Sequence, residues 1–376
     1  MNVTTNNIAE VLDHLTSLGA SDIRLQTGQC PLTEIKGEWT AHREYEPLGG
    51  DVVSNIHQQL CRDERFKCVV ENRPLDGDYR TATSNYNFRV SVGKENGRVY
   101  LSLRPLPREI PSFDKLKLLD DTLGDTPPHT SHLTEGFKYI LGQKRGLILV
   151  SGATGSGKST TLASMIDYIN RTFAYNIITI EDPVEFVFRP QKSKFIQREV
   201  GVDTESFSMG LRASLRQKPN IILVGELRDS ETMDAAFRAA ATGHLVLGTV
   251  HNIETAQIIE RILNEFPQNQ HSRVRYAMAE TLLGAFAQQI VSTVMGGRQV
   301  IHEALIMTPE IRSIIRPKDG QASGGYLQAL REELTKKNPY GSRSMDSELK
   351  RAERAGLITG EEAYNHAVHP SQWDAL

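Results

Sequence analysis

The residues Gly152-Ala153-Thr154-Gly155-Ser156-Gly157-Lys158-Ser159-Thr160 have the types and the G-x-x-x-x-G-K-S spacing that suit a polyphosphate. Glycines let backbone N–H groups turn toward an anion, and a helix starting at Lys158 adds positive potential at its N-terminus. Thr154, Gly155, Ser156, Gly157, Lys158, Ser159 and Thr160 are therefore the expected nucleotide-binding residues. Lys158 is expected to reach the β- and γ-phosphates, and the Ser159 hydroxyl to hold Mg²⁺. The plainer alternative is a Gly/Ser turn before an ordinary helix. Against it, strand, loop, lysine, hydroxyl and helix follow one another in the order phosphate binding demands.

Two acidic clusters extend nucleotide binding toward hydrolysis. Ile177-Ile178-Thr179-Ile180 reads as a buried strand ending in Glu181-Asp182-Pro183-Val184-Glu185. Ile221-Ile222-Leu223-Val224 reads as a second, ending in Gly225-Glu226 with the form of a Walker B strand. In an open α/β sheet the carboxyl ends of strands face the ligand. Glycine stands at 225 where aspartate commonly precedes the glutamate, so Mg²⁺ falls to Ser159, nucleotide oxygens and water. Glu226 or Glu181 would act on that shell or polarise the attacking water. Each cluster alone could be a solvated strand end; their joint occurrence behind a phosphate loop argues for function.

Thr242 to His251 brackets a further strand with His244 and His251. Their seven-residue spacing fits no compact metal pair, and odd spacing on a strand sends them to opposite faces. His251 is a candidate sensor of the γ-phosphate, whereas His244 is as readily a residue that satisfies backbone groups.

The elements that must position these groups read as two domains. Residues 1–112 alternate short strands and helices. Ile8, Val11, Leu12 and Leu15 mark an amphipathic helix, and Phe88–Gly93 and Val99–Leu103 read as paired strands around Asn96-Gly97. Residues 113–132, rich in proline and acidic side chains, read as an interdomain linker with a short helix. Residues 133–376 switch to alternating strands and helices, an α/β pattern with a helical C-terminal segment. There Ser344 to Leu357 is amphipathic, more in keeping with packing inside the domain than with a partner-binding face. The loops around 321–325 and 338–342 read as mobile.

The 376 residues suit about two domains. No run approaches the ~20 apolar residues of a membrane span and the start is no secretory signal, so cytoplasm is the expectation. Cys30, Cys61 and Cys68 form no C-x-x-C pair, against a disulfide framework or tetracysteine zinc site. A net charge of −3 gives no global push toward nucleic acid, and no basic, aromatic-interleaved stretch suggests a single-strand channel, which disfavours a helicase.

The motif order, phosphate loop, Thr179–Phe186, Leu215–Asp229 and the two-histidine strand, resembles the type II/type IV secretion ATPase superfamily, the PilT/GspE-like motors, across 133–310. Ala20–Gly28 is similar to the start of that family's N-terminal PAS-like domain, and Pro309–Ile315 to the Ala-Ile-Arg-Asn-Leu-Ile segment of its retraction motors. The resemblance implies a RecA-like P-loop NTPase core behind a PAS-like α+β domain, assembled as a homohexameric ring that hydrolyses ATP with Mg²⁺. It also implies arginines from the N-terminal domain, at Arg89 and Arg104, with Arg98 a looser match that is more readily a surface charge. It assigns the general base to Glu181 and Mg²⁺ support to Glu226, although the residues do not decide which orients water.

Glu310 and Ser313 depart from the retraction motif, and the proline-rich segment is longer than a retraction motor's connection. The expectation is therefore the type IVB secretion and conjugation branch, represented by DotB and TraJ. Its partners would be inner-membrane apparatus components, including another ATPase of the same machine, with peripheral recruitment to the membrane. A pilus-retraction motor and a non-catalytic, nucleotide-gated hexameric scaffold are the alternatives.

Overall fold

A computed structural model describes residues 2–35, 37–62, 77–106, 109–112, 116, 133–317, 325–336 and 341–375. The chain forms two compact units. The first joins Met1–Glu109 with Glu181–Val187 and Gln197–Ser206; the second comprises Ile110–Ile180, Phe188–Ile196 and Phe207–Leu376. The acidic segment that follows Ile180 thus belongs by packing to the first unit although it lies within the second in the chain. The expected linker at 113–132 falls outside the described residues apart from Leu116, as do Cys68 and most of both expected mobile loops.

In the first unit, helix α1 (Ile8–Ser17) and helix α2 (Gly50–Leu60) accompany strands β1 (Asp22–Gln26), β2 (Leu32–Ile35), β3 (Glu38–Ala41), β4 (Gly77–Ala82), β5 (Asn87–Glu95) and β6 (Arg98–Leu106). These form an antiparallel sheet in the order β3-β2-β1-β6-β5-β4. Burial alternates along β1 and most of β6, as expected of a sheet with one covered face. Ile8, Val11, Leu12 and Leu15 of α1 join Ile23, Leu25, Val90 and Leu101 in one core, which confirms the periodicity read from sequence. Glu95 pairs with Arg98 across a two-residue turn in which Asn96 and Gly97 both have positive φ. That backbone matches strand twist and explains the Asn-Gly dipeptide.

The second unit is built on strands β7 (Gly146–Ser151), β8 (Asn176–Glu181), β9 (Lys194–Glu199), β10 (Ile221–Val224), β11 (Leu245–Val250), β12 (Leu282–Ser292) and β13 (Arg298–Ile306). Among the described residues their sheet order is β13-β12-β7-β11-β10-β8-β9. β12, β7, β11, β10 and β8 run parallel, and β13 is antiparallel to β12. Every residue of β7, β10 and β11 is buried, which is why these strands read as unbroken apolar runs.

The connecting helices are α3 (Leu133–Leu141), α4 (Lys158–Thr172), α5 (Phe207–Ser214), α6 (Ser230–Ala241), α7 (Thr255–Asn264), α8 (His271–Thr281) and α9 (Pro309–Ile315). Then follow α10 (Gly325–Thr335), α11 (Met345–Arg354) and α12 (Gly360–Asn365). Met345, Leu349 and Ala352 of α11 are buried with Val291, Ile301, Ile358 and Trp373, so the amphipathic tail packs inside its own unit. No described helix is long and apolar enough to cross a membrane.

Candidate nucleotide site

β7 delivers the chain into the phosphate loop. Ser151, its last residue, donates through Oγ to Asn252 O at 2.6 Å and accepts from Asn252 N at 2.7 Å, which ties the loop's root to the end of β11. Three loop glycines have positive φ, Gly152 at 146°, Gly155 at 81° and Gly157 at 89°, a backbone that L side chains rarely adopt. A Cβ on Gly152 would lie within about 3 Å of Gln288 O and Ser156 Oγ. Lys158 Nζ donates to Gly152 O and Ala153 O, both at 2.9 Å, and so closes the loop on itself.

The loop's residues fit a nucleotide's phosphates. Thr154 and Gly155 are exposed, α4 starts at Lys158 with no side-chain cap and no acidic residue in its first turn, and the buried Ser156 Oγ has no partner among the described residues. An uncapped helix N-terminus and an orphan hydroxyl together suit a polyanion. Ser159 and Thr160 follow half-buried in the first turn of α4, where the Ser159 hydroxyl could serve Mg²⁺.

Glu226 follows β10. Gly225 N donates to Ile180 O at 2.7 Å, Leu227 N donates to Thr249 O at 2.9 Å, and the Thr249 hydroxyl donates to Gly225 O. This fixes the backbone on both sides of the glutamate. Its side chain is clasped from both ends: Arg228 Nη2 lies 2.6 Å from Oε2 and His251 Nε2 lies 3.2 Å from Oε1. The structure therefore brings His251 and Glu226 together, with the imidazole Nε2 within ion-pair distance of the carboxylate. The two histidines flank β11 rather than sitting on it. His244 Nδ1 lies 3.0 Å from Ala239 O, the backbone-satisfying role weighed above. Asp229 caps α6 by accepting from Thr232 N at 2.8 Å and Thr232 Oγ1 at 2.9 Å.

The remaining candidates lie in the first unit. Glu181 accepts from Gln197 Nε2 at 3.4 Å, and Gln197 also donates to Phe186 O at 2.9 Å. Arg89 pairs with Asp78 at 2.9 Å and lies 3.6 Å from Glu185, while Arg104 holds Asp22 through two nitrogens at 3.0 and 3.2 Å. Both arginines are thus held by carboxylates of their own unit. Arg98 is exposed beside the Asn96-Gly97 turn, as the surface-charge reading has it. Glu199 accepts from Val184 N at 3.1 Å; burial pushes its carboxyl up, while that N–H and Arg80 pull it down.

Sequence reasoning missed Arg228, two residues beyond the glutamate it holds, and Gln288, a wholly buried amide in the apolar strand β12. A glutamine inside such a run is the signal that could have found it. No group of His, Cys, Asp or Glu suited to a metal occurs among the described residues, and neither Cys30 nor Cys61 is in a disulfide.

The chain matches the family described as Type II/IV secretion system protein over residues 8–345. It is 35% identical over 367 residues to the type IV pilus retraction ATPase PilT of Pseudomonas aeruginosa, covering 98% of this chain and 100% of that protein. The crystal structure of the pilus retraction motor PilT with bound ADP superposes with a TM-score of 0.83 at 37% identity, covering 98% of this chain and 99% of that one. The Legionella pneumophila ATPase DotB superposes at 0.78 with 26% identity, covering 96% and 95%. PilT thus matches better than DotB, which reverses the weighting between the two branches expected from Glu310, Ser313 and the linker. By its whole-length match and α/β architecture, the chain belongs to the type II/IV secretion system protein family, among relatives that are motor ATPases.

Proposed function

We propose that this chain is a pilus-retraction motor of the PilT kind, a homohexameric Mg²⁺-dependent ATPase that converts hydrolysis into movement between its units. One observation carries the reading, the 35% identity to PilT of Pseudomonas aeruginosa along the full length of both chains. Thr154 to Thr160 would hold the phosphates, with the N–H groups of the loop and the N-terminus of α4 facing them and Lys158 leaving Gly152 O and Ala153 O for the γ-phosphate. Mg²⁺, when bound beside Ser159, would neutralise charge on the β,γ-phosphate oxygens.

Either Glu226 or Glu181 would accept the proton of the attacking water. The clasp of Arg228 and His251 holds Glu226 in one orientation, and His251 would report a change there to the end of β11. Arg89 and Arg104 would exchange their carboxylate partners for phosphoryl oxygens in a ring, stabilising charge that develops on the transferred group. Partners at the inner membrane would recruit the ring. Type IVB secretion is the second reading, favoured by the DotB superposition at 0.78.

The test is deletion in the host cell with complementation by wild type and by Glu226→Gln. Cells that assemble pili but cannot shorten them, restored by wild type only, support the reading. Intact retraction with loss of protein secretion would replace it by the type IVB one.

A further inference from the structure

We propose that Gln288, on β12, is a positioning residue for nucleotide binding that fixes the peptide between Ser156 and Gly157 so that its N–H faces the phosphates. The inference rests on the nucleotide-site reading above and adds a residue to it. Gln288 Nε2 donates to Ser156 O at 2.5 Å across 132 residues of sequence. A peptide unit is planar and trans, so its carbonyl and N–H point to opposite sides. Pinning Ser156 O against β12 therefore directs the Gly157 N–H the other way, into the cradle. Released, that unit could rotate its carbonyl toward the phosphates, where it would repel them.

Three further observations show that β12 is built against the loop. Ala287 pairs with Ser151, the last residue before the loop, which sets Gln288 opposite Gly152. Gly152 approaches Gln288 O so closely that a Cβ would collide, and a Cβ on Gly157 would lie 3.2 Å from Gln288 Nε2. The register shifts between Leu282 and Gly284, and the extra residue there swaps the faces of every later position on β12. That bulge is what turns Gln288, rather than a neighbour, to the loop.

The chemistry of the amide points the same way. Gln288 is fully buried and its Oε1 has no partner among the described residues, so half of the amide's hydrogen-bonding capacity is left unused inside the unit. An apolar side chain of the same length would fill this space without an orphan acceptor. A buried amide retained for its donor end alone is explained by the work of that donor on Ser156 O.

The experiment is titration of a fluorescent ADP analogue and of ATP against the full chain for wild type, Gln288→Met and Gln288→Glu, with kcat at saturating ATP and thermal unfolding without nucleotide. Met keeps the length and loses the donor; the carboxyl of Gln288→Glu, assayed at pH 9 so that the buried acid is ionised, keeps the shape and repels Ser156 O. The expected result is a tenfold or greater loss of affinity for both nucleotides in both variants, with kcat within about threefold and unfolding within a few degrees. Wild-type affinity in either folded variant, or a fall in kcat with affinity unchanged, overturns the inference. Failure of both variants to fold assigns Gln288 to stability alone and overturns it too. A wild-type chain that binds no nucleotide removes the nucleotide-site reading as well, whereas a tight-binding wild type with tight-binding variants removes this inference only.

Discussion

Gly152→Ala and Gly155→Ala differ in a way that only the loop's geometry explains. Both glycines have positive φ, 146° and 81°, so each alanine is strained by about 1–2 kcal/mol. At Gly155 nothing lies within 4 Å of the added Cβ, and strain is the whole effect. At Gly152 the methyl meets Gln288 O and Ser156 Oγ. The carbonyl belongs to a central strand and cannot move alone, so overpacking adds about 1–3 kcal/mol. Gly152→Ala should therefore destabilise by about 2–5 kcal/mol and Gly155→Ala by about 1–2. Urea unfolding of the nucleotide-free protein, followed through the transition of the second unit, measures both. Equal losses, or a loss below about 1 kcal/mol at Gly152, would refute the close approach of β12 to the loop.

Glu303 on β13 accepts from Thr255 N and Oγ1 at 2.5 and 2.6 Å and from Met345 N at 3.0 Å. Burial nonetheless pushes its carboxyl up from 4.5 to about 7 against those donors. The neutral form is favoured by folding, so this contribution is full below the unfolded value and is lost as pH rises through the folded one. Glu303→Gln should flatten unfolding stability between pH 5 and 8, by up to about 3 kcal/mol relative to wild type, and parallel pH profiles would contradict this. Arg331 binds the buried Glu254 through two nitrogens at 2.6 and 3.0 Å. Arg331→Met should cost about 3 kcal/mol by leaving that buried carboxylate with only the His369 imidazole, 3.6 Å away, with partial recovery on adding Glu254→Gln; strictly additive losses in urea melts would argue against the pair. Glu226→Gln should lower steady-state ATP hydrolysis by roughly a hundredfold while ATP affinity stays within a few-fold, and undiminished turnover would remove Glu226 from the chemistry.

Much of this was legible in the sequence because periodicity and turn chemistry are local. The apolar runs at 147–150, 177–180 and 221–224 are strands, Asn96-Gly97 is a hairpin turn, and the Ile8 to Leu15 spacing is a buried helix face. Glu226 and His251 stand out in the sequence as separate candidates, and the sheet joins them because β10 and β11 are parallel neighbours. Long-range partners escaped. Gln288 reaches the loop only through a bulge that alters the parity of β12, and alternation cannot be counted across an unseen insertion. The packing of Glu181–Val187 with the first unit likewise depends on contacts such as Arg89 to Glu185, which sequence spacing does not encode.

The central claim, a phosphate loop that hydrolyses ATP in an assembly of this chain, is tested most directly by Mg²⁺-dependent ATP turnover per subunit against protein concentration, for wild type, Lys158→Ala and Arg104→Ala. Turnover that rises with concentration and falls by roughly a hundredfold or more in both variants is the expected result. Turnover indifferent to Lys158, or none at any concentration, would contradict it.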